Sequence, residues 1–423
     1  MKLTPPRLTP FWRLWTAGAT SHLGSAVTGV ALPLTALTVL HASAFEMGLI
    51  TAATYLAYLL ISLPAGVIVE RLPLRTLQVG ADLVRAAALL SIPLAWWGGR
   101  LTITQMIVVA LVVSFGTVLF DVGNQTFLPT IVPADQIQSR NSLNSGMHAA
   151  TQLGGPSLGG ALTQLLGAVP TLLVDVASYL FSASLLRTLP ERRAAPDRDR
   201  PPMTALIREG FRYVVRHPII GPCMWDATAT NFVNGALIAL FPYYLIRELH
   251  ASPGLTGVLL AADGLGSLIG AALTTWFTSR VGTARALLIT AVVSVAGALV
   301  IPLGTGRTAF LAFAAGNVVL ATATVILSVT TRTYRMTASP PELLSRVIAT
   351  VKFVSWGAIP LGGLLAGALA GPLGARTTLL LFGALTAVSP VIYLLSPVRR
   401  LHNLEDLEIP NPSPVRRGQS VIG

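Results

Sequence analysis

The 423-residue chain is 53% hydrophobic and 11% charged, with a mean hydropathy of +0.69. That balance excludes a water-soluble globular protein of this length and places the chain in a bilayer. The net charge of +12 would suggest a nucleic-acid partner in a soluble protein; in a membrane chain it is a statement about topology, and no nucleic-acid partner is expected.

The first residues, MKLTPPRLTPFWRLW, resemble the basic region of a signal peptide. The apolar stretch that follows is too long and lacks a cleavage site, so it reads as an uncleaved first span. A span needs roughly 20 apolar residues to cross a core about 30 Å thick. Twelve such stretches can be marked off, at 12–40, 46–69, 75–97, 101–121, 142–166, 170–187, 218–246, 254–278, 284–303, 308–331, 344–370 and 374–396. All should be helices, since an irregular segment or open sheet edge cannot satisfy its backbone in lipid. Between the sixth and seventh spans, Glu191 to Pro202 is a run of charge and proline that reads as a solvated linker. From Met203 to His217, the residues Leu206, Ile207, Phe211, Val214 and Val215 recur at helical spacing beside a stripe of Arg208, Arg212 and Arg216. This fits either an amphipathic helix on an anionic leaflet or a surface helix capping the bundle. The expected units are therefore a six-helix bundle at 1–190, a linker with its amphipathic helix at 191–217, a second six-helix bundle at 218–397, and a flexible tail at 398–423.

The two bundles are one half written twice. Leu40-His41-Ala42-Ser43 returns as Leu249-His250-Ala251-Ser252, 209 positions later, and at that offset Pro33 falls on Pro242, Gly48 on Gly257 and Arg71 on Arg280. A second echo, at an offset near 204, matches Pro156 and its glycines with Pro360 and the glycine-rich run to Gly371. A whole-chain repeat in so apolar a sequence points to a transporter with two pseudo-symmetric halves. The glycine-rich faces can be spent within one chain, and a monomer is expected.

Of the 29 basic residues, only Arg100, Arg247, Arg307 and Arg376 fall in loops after odd-numbered spans. The positive-inside rule then makes both termini cytoplasmic in a multi-pass protein of the cell's inner membrane. The single cysteine, Cys223, excludes an intramolecular disulfide, and no metal-ligand spacing is present. Neither a Walker A loop nor an HExxH motif occurs, so no cofactor, no metal and no enzymatic chemistry are expected.

Ionisable residues at bilayer depth are costly and mark function by default. Asp226 and Asp263 each lie nine residues into a span, about 13 Å deep at 1.5 Å per residue. A carboxyl group held out of water can take a proton from one side and release it to the other. Alternatively each is neutralised by a fixed partner such as Lys352. His22 and Asn231 are equivalent at the 209 offset, with Asn234 a turn further on; a histidine there either titrates, contacts substrate or packs. Asp175 reads as structural.

Four stretches carry a family resemblance: GVIVERLPLR at 66–75 with ADLVRA at 81–86, LPTIVPADQIQSRNSLNS at 128–145, GGPSLGG at 154–160, and EGFRYVVRHP at 209–218. In this order and at these helix ends, the chain resembles the major facilitator superfamily, and more closely its drug-antiporter-like branch containing macrolide-efflux proteins and the enterobactin exporter. The resemblance implies an all-α membrane fold of twelve transmembrane helices in two bundles. It also implies a cytoplasmic gate in the loop between spans 2 and 3, formed by Gly66, Glu70, Arg71 and Arg75 with Asp82, Arg85 and Asp121. Glu70 stands where the family has aspartate and Pro73 where it has glycine. Gly155, Pro156, Gly159 and Gly160 resemble the helix 5 signature of drug antiporters, a pivot or seal favouring export. By the superfamily's arrangement span 7 lines the cavity, which ranks Asp226 ahead of Asp263 as proton carrier. The expected function is export of an amphipathic or apolar organic compound in exchange for protons, with proton-coupled uptake of a small solute, or a non-transporting sensor or scaffold, as alternatives.

Overall fold

The computed structural model describes residues 9–133, 136–191 and 203–407, apart from the side chains at 62–67, 70, 71, 138, 203–207, 341, 342 and 345. The duplicated tetrapeptide builds the same chain reversal twice. His41 and His250 take left-handed backbone conformations, φ 55° and 53°, in which a non-glycine residue is uncommon. Each reversal leads into a serine N-cap. Ser43 Oγ accepts from Glu46 N while Glu46 Oε2 accepts from Ser43 N at 2.7 Å, and Ser252 Oγ accepts from Leu255 N at 3.3 Å. The side chains thus satisfy backbone donors that the first helical turn leaves free.

The first bundle comprises α1 (Pro10–Thr38), α2 (Ala44–Arg71), α3 (Leu74–Trp97), α4 (Ile103–Ile131), α5 (Ile137–Leu166) and α6 (Ala168–Leu186). A short α7 (Met203–Arg216) precedes the second bundle. That bundle comprises α8 (Ile220–Tyr243), extended by a π-turn at Tyr244–Glu248, then α9 (Pro253–Val281), α10 (Thr283–Val300), α11 (Thr308–Ala338), α12 (Pro341–Leu373), and α13 (Ala375–Leu385) with α14 (Val388–Leu395), which together form its last span. Ten spans among the described residues are long and apolar enough to cross a bilayer on composition alone. The exceptions are α1 and α5, which at 29 and 30 residues are long enough but carry more polar residues along their length. Several boundaries differ from the expected ones: α5 starts five residues before 142 and α11 ends seven residues past 331. α4 continues ten residues past the expected end at 121, and the last span breaks between Leu385 and Val388.

The face bearing the start of α1, α7 and the end of α14 is called here the terminal face, and the other the opposite face. Within each bundle the neighbours correspond: α1 packs on α5 and α6 as α8 packs on α12 and α14, and α2 on α4 as α9 on α11. Lipid is as apolar as a protein core, so burial alone does not hold helices together in a membrane; close approach through small residues does. The two bundles meet through such approaches, and the repeat supplies both. On one seam, a Cβ at Gly160 of α5 would lie 2.6 Å from Gly257 Cα and 2.8 Å from Pro253 O of α9. On the other, a Cβ at Gly48 of α2 would lie 2.6 Å from Gly363 O of α12, and one at Gly367 would lie 2.7 Å from Ala44 O. Gly48 and Gly257 are the pair related by the 209 offset. Arg247 adds a tie at the opposite face, donating to Leu37 O at 3.0 Å and meeting His41 Nδ1 at 3.3 Å. These contacts lie in the opposite-face half. Toward the terminal face α5 has no buried residue from Arg140 to Ala150, so the bundles part there.

Residues 398–407, the start of the expected tail, pack on the second bundle. Val398 and Leu404 are fully buried beside α10 and α8, His402 O accepts from Ala284 N at 3.1 Å, and Asn403 Oδ1 accepts from Thr283 N at 3.2 Å. The segment supplies acceptors to the otherwise unpaired N–H groups at the start of α10. Residues 408–423 lie outside the described residues.

Candidate functional site

The parting bundles enclose a cavity of about 690 Å³, lined by α1, α2 and α4 on one side and α8, α9 and α11 on the other. That size suits a drug-sized molecule. Its walls are mainly apolar, with Gln152, Asn231, Asn234 and Asn317 supplying amide groups and Tyr55 and Tyr58 supplying aromatic faces. Tyr58 packs at 5.1 Å from the Trp356 ring, so aromatic groups from both bundles meet at the cavity margin.

Asp263 is the single formally charged residue among those lining the cavity. No hydrogen-bond or ion-pair partner engages its carboxylate among the described residues, and Tyr55 lies within its electrostatic reach. It is an acid presented to the cavity without a fixed counter-ion. Asn231 and Asn234 stand on the facing wall, as their register on α8 requires.

Asp226 does not line this cavity. It is five residues before Asn231, about 140° further round the helix, and its side chain turns toward α14. There it is buried, accepting hydrogen bonds from Ser389 Oγ and from Tyr393 Oη, the latter at 2.8 Å. Asp175 of α6, nearer the opposite face, is likewise held by hydroxyls in the first bundle, by Thr28 Oγ1 of α1 at 2.6 Å and Ser178 Oγ at 2.8 Å. Each bundle therefore ties its first helix to its last through a hydroxyl-bound carboxylate. Lys352 pairs with neither Asp226 nor Asp263; its ammonium lies 4.6 Å from the Trp356 ring centre.

His22 also stays off the cavity wall, unlike its equivalent Asn231. Its ring lies 4.4 Å from that of His148 on α5, and its Nε2 is 3.9 Å from Asp121 Oδ1 on α4. Because α4 is longer than expected, Asp121 lies ten residues inside its end, about 15 Å deep. Arg85 and Lys352 act on it electrostatically from α3 and α12. His148, which the sequence reading passed over, is the 204-offset equivalent of Lys352, so the second echo could have singled it out.

Asp82 and Arg85, expected at the gate, are each other's partners. They lie eight and eleven residues into α3 and pair at 0% and 1% exposure. The Arg85 guanidinium sits 4.4 Å and 4.3 Å from the ring centres of Phe120 and Tyr179 and donates to Ser21 Oγ at 3.3 Å. Arg75 instead pairs with Glu191 at 2.8 Å and donates to Leu189 O at 3.1 Å, tying the α2–α3 loop to the end of the first bundle. The side chains of Gly66, Glu70 and Arg71 lie outside the described residues.

The glycine-proline stretch of α5 serves two neighbours. Gly155 and Gly159 admit α1, at Ala26, Val27 and Val30, while Pro156 and Gly160 face Gly257 of α9 across the bundle interface. The letters Gly155-Pro156-Ser157-Leu158-Gly159 also satisfy the GxSxG pattern, but they lie within a continuous helix rather than at the strand-to-helix turn a nucleophile elbow requires.

A family model described as transmembrane secretion effector matches residues 1–416. The chain belongs to that family, within the major facilitator superfamily. Its relatives include multidrug efflux pump Tap of Mycolicibacterium fortuitum, 28% identical over 89% of this chain and 93% of the relative. Macrolide efflux protein A of Streptococcus pyogenes is 22% identical over 92% and 97%. Among solved structures, nucleoside transporter NupG aligns with a TM-score of 0.77 at 12% identity, covering 92% of this chain and 98% of that one. A bacterial homolog of the lysosomal transporter Spinster aligns at 0.73 and 16% identity, covering 96% and 100%. These likenesses show the major facilitator fold, and the family makes this chain a membrane transporter of small molecules.

Proposed function

We propose that this transporter exports amphipathic organic compounds carrying a basic amine, from the cytoplasm and in exchange for protons. The observation that carries the reading is Asp263: one unpartnered carboxylate in a largely apolar cavity, with tyrosines and carboxamides around it. Such a wall accepts a bulky apolar body and one positive charge. The efflux pumps among its relatives support the direction, as do the glycines that seal the opposite face. The charge distribution along the chain supports a cytoplasmic terminal face in the cell membrane.

The exchange follows if proton and amine compete. An ionised Asp263 holds the ammonium; once the cavity faces outward, a proton neutralises the carboxylate and the compound leaves. The Asp121–His22–His148 group, on three helices below the cavity, supplies a second set of titratable groups through which protons exit when the terminal face is open. Rocking of the bundles about the glycine seams presents the cavity to each side in turn.

The test is efflux of a fluorescent lipophilic amine from energised cells, with a protonophore control. Wild type and Asp226→Asn are expected to extrude the dye in a protonophore-sensitive manner, and Asp263→Asn is expected to lose extrusion. Extrusion unaffected by Asp263→Asn would refute the role of that acid; accumulation in place of extrusion would turn the direction to uptake.

A further inference from the structure

α7 presents two unlike faces. Gly210, Tyr213, Val214 and His217 turn to the second bundle: a Cβ at Gly210 would lie 2.8 Å from Thr350 Oγ1 and 2.9 Å from Arg346 O of α12, Val214 is fully buried, and Tyr213 Oη donates to Ala338 O at 3.4 Å. Glu209 is committed to Arg346 of α12. The other face holds Arg208, Phe211, Arg212, Val215 and Arg216, all exposed, with Phe211 and Val215 each at 44%. At 100° per residue these five fall in one arc of about 140°, the apolar pair along one edge and the three arginines along the other. No acidic group lies within ion-pair distance of the three arginines among the described residues. The helix packs on α12 and α8 of the second bundle and runs within four residues into the membrane-spanning α8, which sets it at the level of the lipid headgroups.

We propose that this face of α7 binds the headgroups of anionic phospholipids. Charge complementarity selects the occupant: three guanidinium groups with no acidic partner among the described residues call for phosphate, which they bind through paired N–H donors. The large apolar side chains beside them fit the acyl boundary and not an aqueous protein partner. Because Glu209 and Gly210 fasten α7 to α12, the lipid holds the terminal end of the helix that forms one of the two interbundle seams. The proposal is independent of what the transporter carries.

The experiment titrates the purified full-length chain in detergent with phosphatidylglycerol or phosphatidylcholine, reading the melting temperature and the lipid retained in native mass spectrometry. Wild type is expected to retain phosphatidylglycerol selectively and to be stabilised by it, less so as salt rises from 50 to 500 mM. Each arginine near an anionic surface contributes roughly fivefold to affinity, so Arg208→Gln, Arg212→Gln and Arg216→Gln together should weaken retention on the order of a hundredfold. The corresponding triple lysine variant keeps the charge but not the paired donors, and should retain the lipid more weakly than wild type and more strongly than the triple glutamine variant. Equal retention of the two lipids by wild type, or undiminished phosphatidylglycerol retention by the triple glutamine variant, would overturn the proposal. Neither readout involves transport, so a failed efflux assay leaves this test intact.

Discussion

Replacing Gly160 with valine should force the opposite-face seam open. The added Cβ would stand 2.6 Å from Gly257 Cα, 2.8 Å from Pro253 O and 2.9 Å from Gly257 N. All three are backbone atoms, so no side chain can swing aside, and ordinary contact requires α9 to retreat by about 1 Å. Overpacking of this kind typically costs about 1–3 kcal/mol. The cost applies only while the seam is closed, so it converts into a population shift of roughly 5- to 150-fold away from the closed arrangement. The assay is a spin-label distance distribution between cysteines placed at Arg100 and Leu303, exposed residues at the opposite face of each bundle; the native Cys223 is buried and replaced by serine. Gly160→Val and Gly257→Val are both expected to lengthen the distances. Gly154→Val is the control, since a Cβ there meets nothing within 4 Å. An unchanged distribution in Gly160→Val, or an equal change in Gly154→Val, would refute the reasoning.

The remaining expectations concern the buried charges and the α7–α8 junction. Asp82→Ala leaves the Arg85 guanidinium unpaired inside the first bundle and should cost about 3–5 kcal/mol in thermal unfolding; Asp82→Ala with Arg85→Met should recover most of it, and a double variant no better than the single would contradict the pairing. Asp226→Asn should lower the melting temperature while leaving binding of a lipophilic amine within a few-fold of wild type, whereas Asp263→Asn should do the reverse; equilibrium dye binding separates them. His217, outside the spans, caps α8 by accepting from Ile219 N and Ile220 N at Nδ1. Burial lowers its pKa from 6.5 to about 4. The unfolded chain therefore binds the extra proton first, and the stability present above pH 6.5 is lost as pH falls from 6.5 toward 4. Melting temperatures should drop over that range in wild type and drop less in His217→Asn, and parallel curves would argue against the cap.

The repeat made the fold readable, because the same tetrapeptide and the same glycines dictate the same turns and the same close approaches in both halves. Gly155 to Gly160 could be read as packing residues, although only the structure divides them between α1 and α9. Side-chain direction was harder to read. Depth along a span follows from counting residues, and counting placed Asp226 and Asp263 alike. Azimuth depends on which way each helix turns within its bundle, and that sends Asp226 to α14 and Asp263 to the cavity. The resemblance groups Asp82 and Arg85 with Arg75, while their spacing of three residues on a helix places them beside each other. His148 escaped notice because its equivalent, Lys352, has different chemistry, so only the offset links them.

The proposed transport has a proton gradient driving an amphipathic amine outward through the cavity at Asp263. Proteoliposomes loaded with a fluorescent lipophilic amine, with a pH gradient imposed across the membrane and internal pH followed at the same time, test it most directly. Uphill movement of the amine is expected, with protons moving the opposite way, and both fluxes should be lost in Asp263→Asn. Amine movement that only follows its own gradient, with no accompanying proton flux in the wild type, would contradict it.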